Sequence, residues 1–195
     1  MPETYRLLLF DLDGTLLRSD KRITERTLQA LQKCREKGMM VGVSTSRGEG
    51  NALPFIEALR PDILIASGGA LIRYRGECIY RAEFTPERTR QMIAAARSVC
   101  GTDCEITIDT VDAHYWNYRV DPKKQYKSWG ESIYTDFRDF GQCALKMCVE
   151  IFDDGDAGRL REMLGDCDCI RFSDGYWYKF TKKGATKEEA IRKAC

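Results

Sequence analysis

Between residues 5 and 66 short apolar runs alternate with amphipathic stretches, and that alternation leaves few folds open. Residues 5–10 form a nearly continuous apolar run, as a parallel strand buried on both faces requires. Residues 24–37 switch to helical spacing. Thr24 fits as N-cap, Ile23 and Leu28 are set for a hydrophobic staple, Leu28, Leu31 and Cys34 recur every three residues, and Gly38 supplies the stop. Residues 39–44 read as a second strand, 51–59 as a second helix and 62–66 as a third strand. Strand and helix in this order argue for an α/β fold with a parallel sheet and right-handed crossovers.

After residue 66 the pattern changes. Residues 70–74 and 78–81 flank Arg75-Gly76-Glu77 and read as a hairpin. A helix is expected over 85–99, with Met92, Ile93 and Ala96 on its apolar face, then strands over 105–110 and 114–119. A helix over 132–137 and a strand over 144–152 follow. Helix-strand-strand then recurs, as 157–164, 169–173 and 176–181. The echo predicts an α+β module inserted into the first, so that residues 1–83 and 182–195 form the core and 84–181 the insert. The last helix, 186–194, opens on TKEE, with Thr186 and Glu189 spaced as a capping box.

Composition narrows the class further. With 195 residues, 43% hydrophobic and 31% charged, the chain has the balance of a soluble globular protein. A net charge of +1 provides no field to attract nucleic acid or an anionic membrane. No apolar run approaches the roughly 20 residues that cross a bilayer. The start lacks a basic segment followed by a long apolar one, so a cytoplasmic location is expected. Nine cysteines, an odd number, argue against a disulfide framework. Cys100 with Cys104 and Cys167 with Cys169 lack the usual gap of a zinc knuckle, so the thiols read as small apolar groups.

The chemistry concentrates in LLLFDLDGTLL, residues 7–17. Asp11 and Asp13 stand where the first strand enters a loop, at the carboxyl edge where open α/β sheets bind ligands. Like charges this close push their pKa values apart, so one can stay ionised as nucleophile or metal ligand while the other holds a proton. Gly14 permits a tight departure of the backbone, and Thr15 offers a hydroxyl and an amide to an anion. A calcium loop counted from Asp11 would need Gly sixth and Glu twelfth, but Leu16 and Arg22 stand there.

The stretch FDLDGTLL resembles the first motif of the haloacid dehalogenase (HAD) superfamily of phosphatases. The resemblance implies a Rossmann-like core with an inserted α+β cap, and Mg²⁺ as cofactor. It makes Asp11 the nucleophile that forms an aspartyl-phosphate, and Asp13 the acid/base whose backbone carbonyl also faces the metal. VSTSR resembles the second motif, which gives Thr45 a hydroxyl contact to the phosphoryl group; Ser46 replaces the usual glycine, and Arg47 is retained. ASGGALI resembles a segment of the Cof-type branch, with Gly68 where asparagine is usual. FTKKGATKEEAIRKA resembles that branch's third-motif segment and aligns Lys187 with its lysine, which implies that its ammonium steadies the Asp11 carboxylate and the phosphoryl charge. Leu12, Gly14, Ser46, Arg47 and Gly69 are then the expected substrate- and phosphate-binding positions, and Asp11 and Asp13 the metal ligands. The expected partner is a small phosphorylated metabolite, selected by the cap.

The fourth motif, a glycine-aspartate segment with further metal-binding carboxylates, would follow the last helix, and the sequence stops at Cys195. The expectation is therefore a piece of a longer phosphatase that binds Mg²⁺ weakly. Its first strand would then be an open sheet edge suited to a homodimer. A noncatalytic binding module of the same fold is the alternative, and a phosphoacceptor signalling domain fits the large insert poorly. Among the insert's aromatics, Tyr115, Trp116, Tyr118, Trp129, Trp177 and Tyr178, most are expected in its core. His114 has nothing nearby in sequence to make it a base.

Overall fold

The apolar run becomes β1 (Leu7–Phe10), which pairs in parallel with β2 (Met40–Ser44), Phe10 opposite Val43. β2 pairs in parallel with β3 (Ile63–Ala66), and the crossovers are α1 (Glu25–Glu36) and α2 (Glu49–Ile56). This computed structural model describes residues 6–118, 130–173 and 175–195. Tyr5, Arg119 and Trp129, which the sequence reading used, lie outside them. At the start of α1 the Thr24 hydroxyl accepts from the Thr27 amide, and Ile23 and Leu28 pack against the cluster that includes Leu12, Leu31 and Val43.

The hairpin expected over residues 70–81 is present as β4 (Leu71–Tyr74) and β5 (Glu77–Arg81). It extends the first sheet, because β4 pairs antiparallel with β3. The sheet is therefore mixed, in the order β1-β2-β3-β4-β5, with β1 at one end. Between β3 and β4 the chain makes a tight turn in which Ser67, Gly68 and Gly69 all have left-handed φ, at 50°, 71° and 110°.

A second sheet carries the remaining strands. They are β6 (Ile106–Asp109), β7 (His114–Trp116), β8 (Ile133–Tyr134), β9 (Lys146–Glu150), β10 (Cys167–Arg171) and β11 (Trp177–Lys182). Their order is β10-β11-β9-β6-β7-β8. The helix expected over 132–137 is not formed. Ile133 and Tyr134 pair in parallel with Tyr115 and Trp116 of β7, and Phe137 has φ 57°, which no right-handed helix accommodates. A β-branched and an aromatic residue beside an available strand edge favour pairing over a short helix.

Because side chains alternate along a strand, the second sheet has two unlike faces. Ile106, Ile108, Met147, Val149, Tyr178 and Phe180 are buried beneath α3 (Pro86–Cys100) and α4 (Asp154–Met163), against Met92, Ile93, Ala96, Ala157 and Leu160. The alternate positions bury polar groups instead, Thr107, Asp109, His114, Lys146, Lys179 and Thr181. Of the expected core aromatics, Tyr115 and Tyr178 pack with the apolar face. Trp116 lies in edge-on contact with Trp177, and its indole donates to Glu105.

The last helix, α5 (Lys187–Ala194), returns to the first sheet, with Ala190 buried against Ile63, Ile65 and Ile72. Its first turn lies on Gly69, where a β-carbon would sit 2.2 Å from the Thr186 carbonyl oxygen and 2.9 Å from the Lys187 nitrogen. Both φ and the backbone contact exclude any side chain there. Gly69→Ala is expected to destabilise the chain by about 2–3 kcal/mol, read as a lower urea midpoint with an unchanged slope.

Candidate active site

Asp11 follows β1 by one residue and Thr45 follows β2 by one, so the register of Phe10 on Val43 delivers both to the same sheet edge. Gly14 has φ 74°, the left-handed conformation that turns the chain back at this point. The turn is closed by Leu16 and Leu17 amides donating to the Leu12 carbonyl, at 3.1 and 2.9 Å. Leu12, Leu16 and Leu17 are buried beneath it, which anchors the two aspartates above an apolar floor.

Asp11 is about half exposed. Its Oδ1 accepts from the Leu12 amide at 2.8 Å and from Lys187 Nζ at 2.9 Å. The lysine therefore reaches the carboxylate expected of it, across 176 positions in sequence. Leu12, expected as a phosphate-binding position, has its amide on Asp11 Oδ1.

Asp13 is held differently. Arg47 grips it with two parallel bonds, Nε to Oδ2 at 2.7 Å and Nη2 to Oδ1 at 2.9 Å, and Lys21 Nζ adds a third at 2.7 Å. Arg47 is only 9% exposed, and its guanidinium lies 4.6 Å from the centre of the Phe55 ring. Partial burial pushes the Asp13 carboxyl up. The bonds and charges of Arg47 and Lys21 outweigh it and hold the group at about 2. Asp13 is thus ionised at neutral pH in the free protein. Lys21 was not foreseen. It sits at φ 60° in the turn closed between Arg18 and Arg22, and nothing in SDKR marks a lysine that folds back eight residues.

The loop after β2 is tied to the turn after β3. The Ser67 amide donates to the Arg47 carbonyl at 2.6 Å and the Gly68 amide to the Thr45 carbonyl at 3.1 Å. Thr45 is buried, and its hydroxyl accepts from the Arg47 amide at 3.1 Å. The Ser46 carbonyl accepts from Lys146 Nζ of β9 at 2.8 Å. Gly69, expected as a phosphate position, lies against the first turn of α5, where a β-carbon would meet the Thr186 carbonyl.

That lysine belongs to a buried network between the two sheets that sequence reasoning missed. Asp109 is fully buried and accepts from Lys146 Nζ at 2.7 Å, His114 Nδ1 at 2.5 Å and Ser67 Oγ at 3.0 Å. Burial pushes the Asp109 carboxyl up, yet Lys146 and His114 drive it well below the usual carboxylate range. Burial likewise pulls Lys146 down, and Asp109 more than restores it. His114 therefore has a partner after all, five residues back in sequence and across the β6–β7 pair. The pairing of Asp109 with His114 and Lys146 is a matter of strand register, which single residues do not announce.

A magnesium ion takes hard oxygen ligands, keeps several waters and shares the substrate's phosphate oxygens. Asp11 suits this, being half exposed with Oδ1 as its bonded oxygen. The Asp13 side chain does not, since Arg47 and Lys21 occupy it, and only its backbone carbonyl is left for that role. Among the described residues no three His, Cys, Asp or Glu side chains converge as a metal cage. The donors thus fit a weakly held, water-rich magnesium ion. No described helix is long and apolar enough to cross a membrane.

Comparison with known proteins identifies the family. Residues 8–195 match the family model of haloacid dehalogenase-like hydrolases. The chain is 34% identical over 90 residues to an HMP-PP phosphatase of Klebsiella pneumoniae (strain 342), covering 45% of this chain and 33% of that protein. It is 32% identical over 85 residues to a pyridoxal phosphate phosphatase of Escherichia coli (strain K12), covering 43% and 31%. The chain thus spans about a third of the length of these curated relatives. The crystal structure of a haloacid dehalogenase-like hydrolase from Bacteroides thetaiotaomicron superposes with a TM-score of 0.78 at 20% identity, over 98% of this chain and 76% of that one. At that identity the superposition speaks for the fold.

The Asp13 cluster has a titration signature. A carboxyl lowered from 3.8 to about 2 by folding contributes stability above its unfolded pKa and loses it as pH falls between those values. Carbon-detected NMR of the side-chain carboxyl is expected to place Asp13 near that lower value in the wild type. In Arg47→Met it should move back towards 3.8, and the acid limb of the stability curve should shift up with it.

Proposed function

The chain belongs to the haloacid dehalogenase-like hydrolases, and from that membership we propose that it hydrolyses a phosphomonoester of a small metabolite through an aspartyl-phosphate on Asp11. The observation that carries the reading is the convergence of Asp11 with Lys187 beside the Asp13–Arg47 pair, at one sheet edge. The relatives act on small phosphorylated compounds, by the names they carry. Residues 84–181 serve in this reading as the cap that covers the site and chooses the substrate.

In the first step an Asp11 oxygen attacks phosphorus and the bond to the leaving oxygen breaks, while a proton from Asp13 goes to that oxygen. In the second, Asp13 takes a proton from water as the water oxygen attacks phosphorus, which releases phosphate and restores Asp11. Lys187 holds Asp11 oriented and offsets the negative charge gathering between carboxylate and phosphoryl group. Thr45, at the adjoining strand end, offers its hydroxyl to a phosphoryl oxygen. Magnesium, held by the Asp11 carboxylate and the Asp13 carbonyl, would supply the remaining positive charge that lets two anions approach.

Asp13 starts this sequence without its proton. The phosphate ester arrives among Arg47, Lys21 and Lys187, and shares cations that otherwise serve Asp13 alone. As Arg47 and Lys21 turn part of their hydrogen bonding to phosphate, their hold on Asp13 weakens and its proton affinity rises. Asp13 then takes up a proton from solvent water, so the ion pair acts as a gate that loads the acid only when an ester is present.

With p-nitrophenyl phosphate and Mg²⁺, Asp11→Asn is expected to lower kcat at least roughly 1000-fold, with the thermal midpoint retained. Wild-type turnover by that variant would end the covalent mechanism. If the unaltered chain turns over no ester at any magnesium concentration, the noncatalytic module becomes the better reading.

A further inference from the structure

Three lysines approach one another where the polar face of the second sheet meets the loops of the first. Lys187 is neutralised by Asp11 and Lys146 by Asp109. Lys179, on β11 between them, is 4% exposed and has neither a hydrogen bond nor an ion pair among the described residues. Burial and the charges of Lys146 and Lys187 all pull its pKa down, with only Cys148 and Glu188 opposing. A buried ammonium left unpaired is strongly unfavourable unless something else compensates.

The direction of the side chain indicates what that is. Lys179 Nζ ends beside Gly68, where a β-carbon would stand 2.5 Å from the nitrogen and 3.2 Å from Cδ. Gly68 thus leaves room for the ammonium against the main chain of the turn that is bonded to Thr45, and its neighbour Gly69 seats Thr186 and Lys187. The Lys179 charge therefore sits next to both loops that frame Asp11, yet neither aspartate uses it. Any residue with a side chain at position 68 would displace it.

We propose that Lys179 is a specificity-determining residue, which receives a second anionic group of the substrate beside Gly68 while the phosphoryl group being transferred lies at Asp11. The inference rests on the hydrolase reading and deepens it. The preferred substrates are phosphorylated metabolites with a further carboxylate or phosphate, over esters of neutral alcohols and sugars. The incoming anion supplies the countercharge that the described residues do not.

The test compares 3-phosphoglycerate with glycerol 3-phosphate, which share a backbone and differ in one carboxylate, and fructose 1,6-bisphosphate with fructose 6-phosphate. The wild-type chain should favour the doubly anionic member of each pair. In Lys179→Met the ratio of kcat/KM within each pair should fall roughly 10- to 100-fold, and Lys179→Arg should restore most of it. A preference for carboxylate alone, or for phosphate alone, identifies which anion the site takes. Equal losses on both members, or an unchanged ratio, would overturn the proposal. Should the wild type hydrolyse none of these esters, the hydrolase reading fails separately, and calorimetric binding of the same compounds decides about Lys179. Tighter binding of 3-phosphoglycerate than of glycerol 3-phosphate, abolished by Lys179→Met in a folded protein, supports the anion site; equal binding refutes it.

Discussion

The approach of Lys187 to Asp11 depends on one close backbone contact, the first turn of α5 against Gly69. The contact exists because position 69 has no side chain and adopts φ 110°. It brings Lys187 to within 2.9 Å of Asp11, although 176 positions separate them in sequence. The turn that contains Gly69 is itself bonded through Ser67 and Gly68 to the loop holding Thr45 and Arg47. One glycine turn thus references three segments of chain to each other, and the charges of the site inherit that geometry.

The second constraint is electrostatic. Each aspartate of the first loop has its own cation, Lys187 for Asp11 and Arg47 with Lys21 for Asp13. Two carboxylates two residues apart would otherwise repel. Arg47 and Lys21 hold Asp13 ionised, while Lys187 lies on Asp11, so the two acids have different surroundings. Asp109 repeats the device between the sheets, where full burial makes its lysine and histidine partners indispensable rather than helpful. Lys179 is buried too, but has no ion pair among the described residues.

Much of the frame was legible in the sequence. The alternation over residues 5–66, the Thr24, Thr85 and Thr186 caps and the hairpin at Arg75-Gly76 all appear where local patterning places them, because each depends on neighbours within a few residues. The helix expected over 132–137 failed for the opposite reason. Its fate was decided by a strand edge some 18 positions earlier, Tyr115 opposite Ile133, which a local reading does not see. The pair Asp11 and Asp13 was evident from its motif, whereas Lys21 was not, since a lysine in a polar turn is ordinarily a solvated one.

The sequence by itself determined the α/β order, the carboxylates at the end of the first strand and the identity of the residues available to them. Those are local facts, set by residue spacing and backbone preference. Only the tertiary structure decided that Arg47 and Lys21 serve Asp13 and that Lys146 serves Asp109. Ion pairs form between groups that the fold happens to bring within a few ångströms, and burial multiplies their strength. For the same reason Lys179, which has no ion pair among the described residues, stands out from the chain's 31 lysines and arginines only once the two sheets are together.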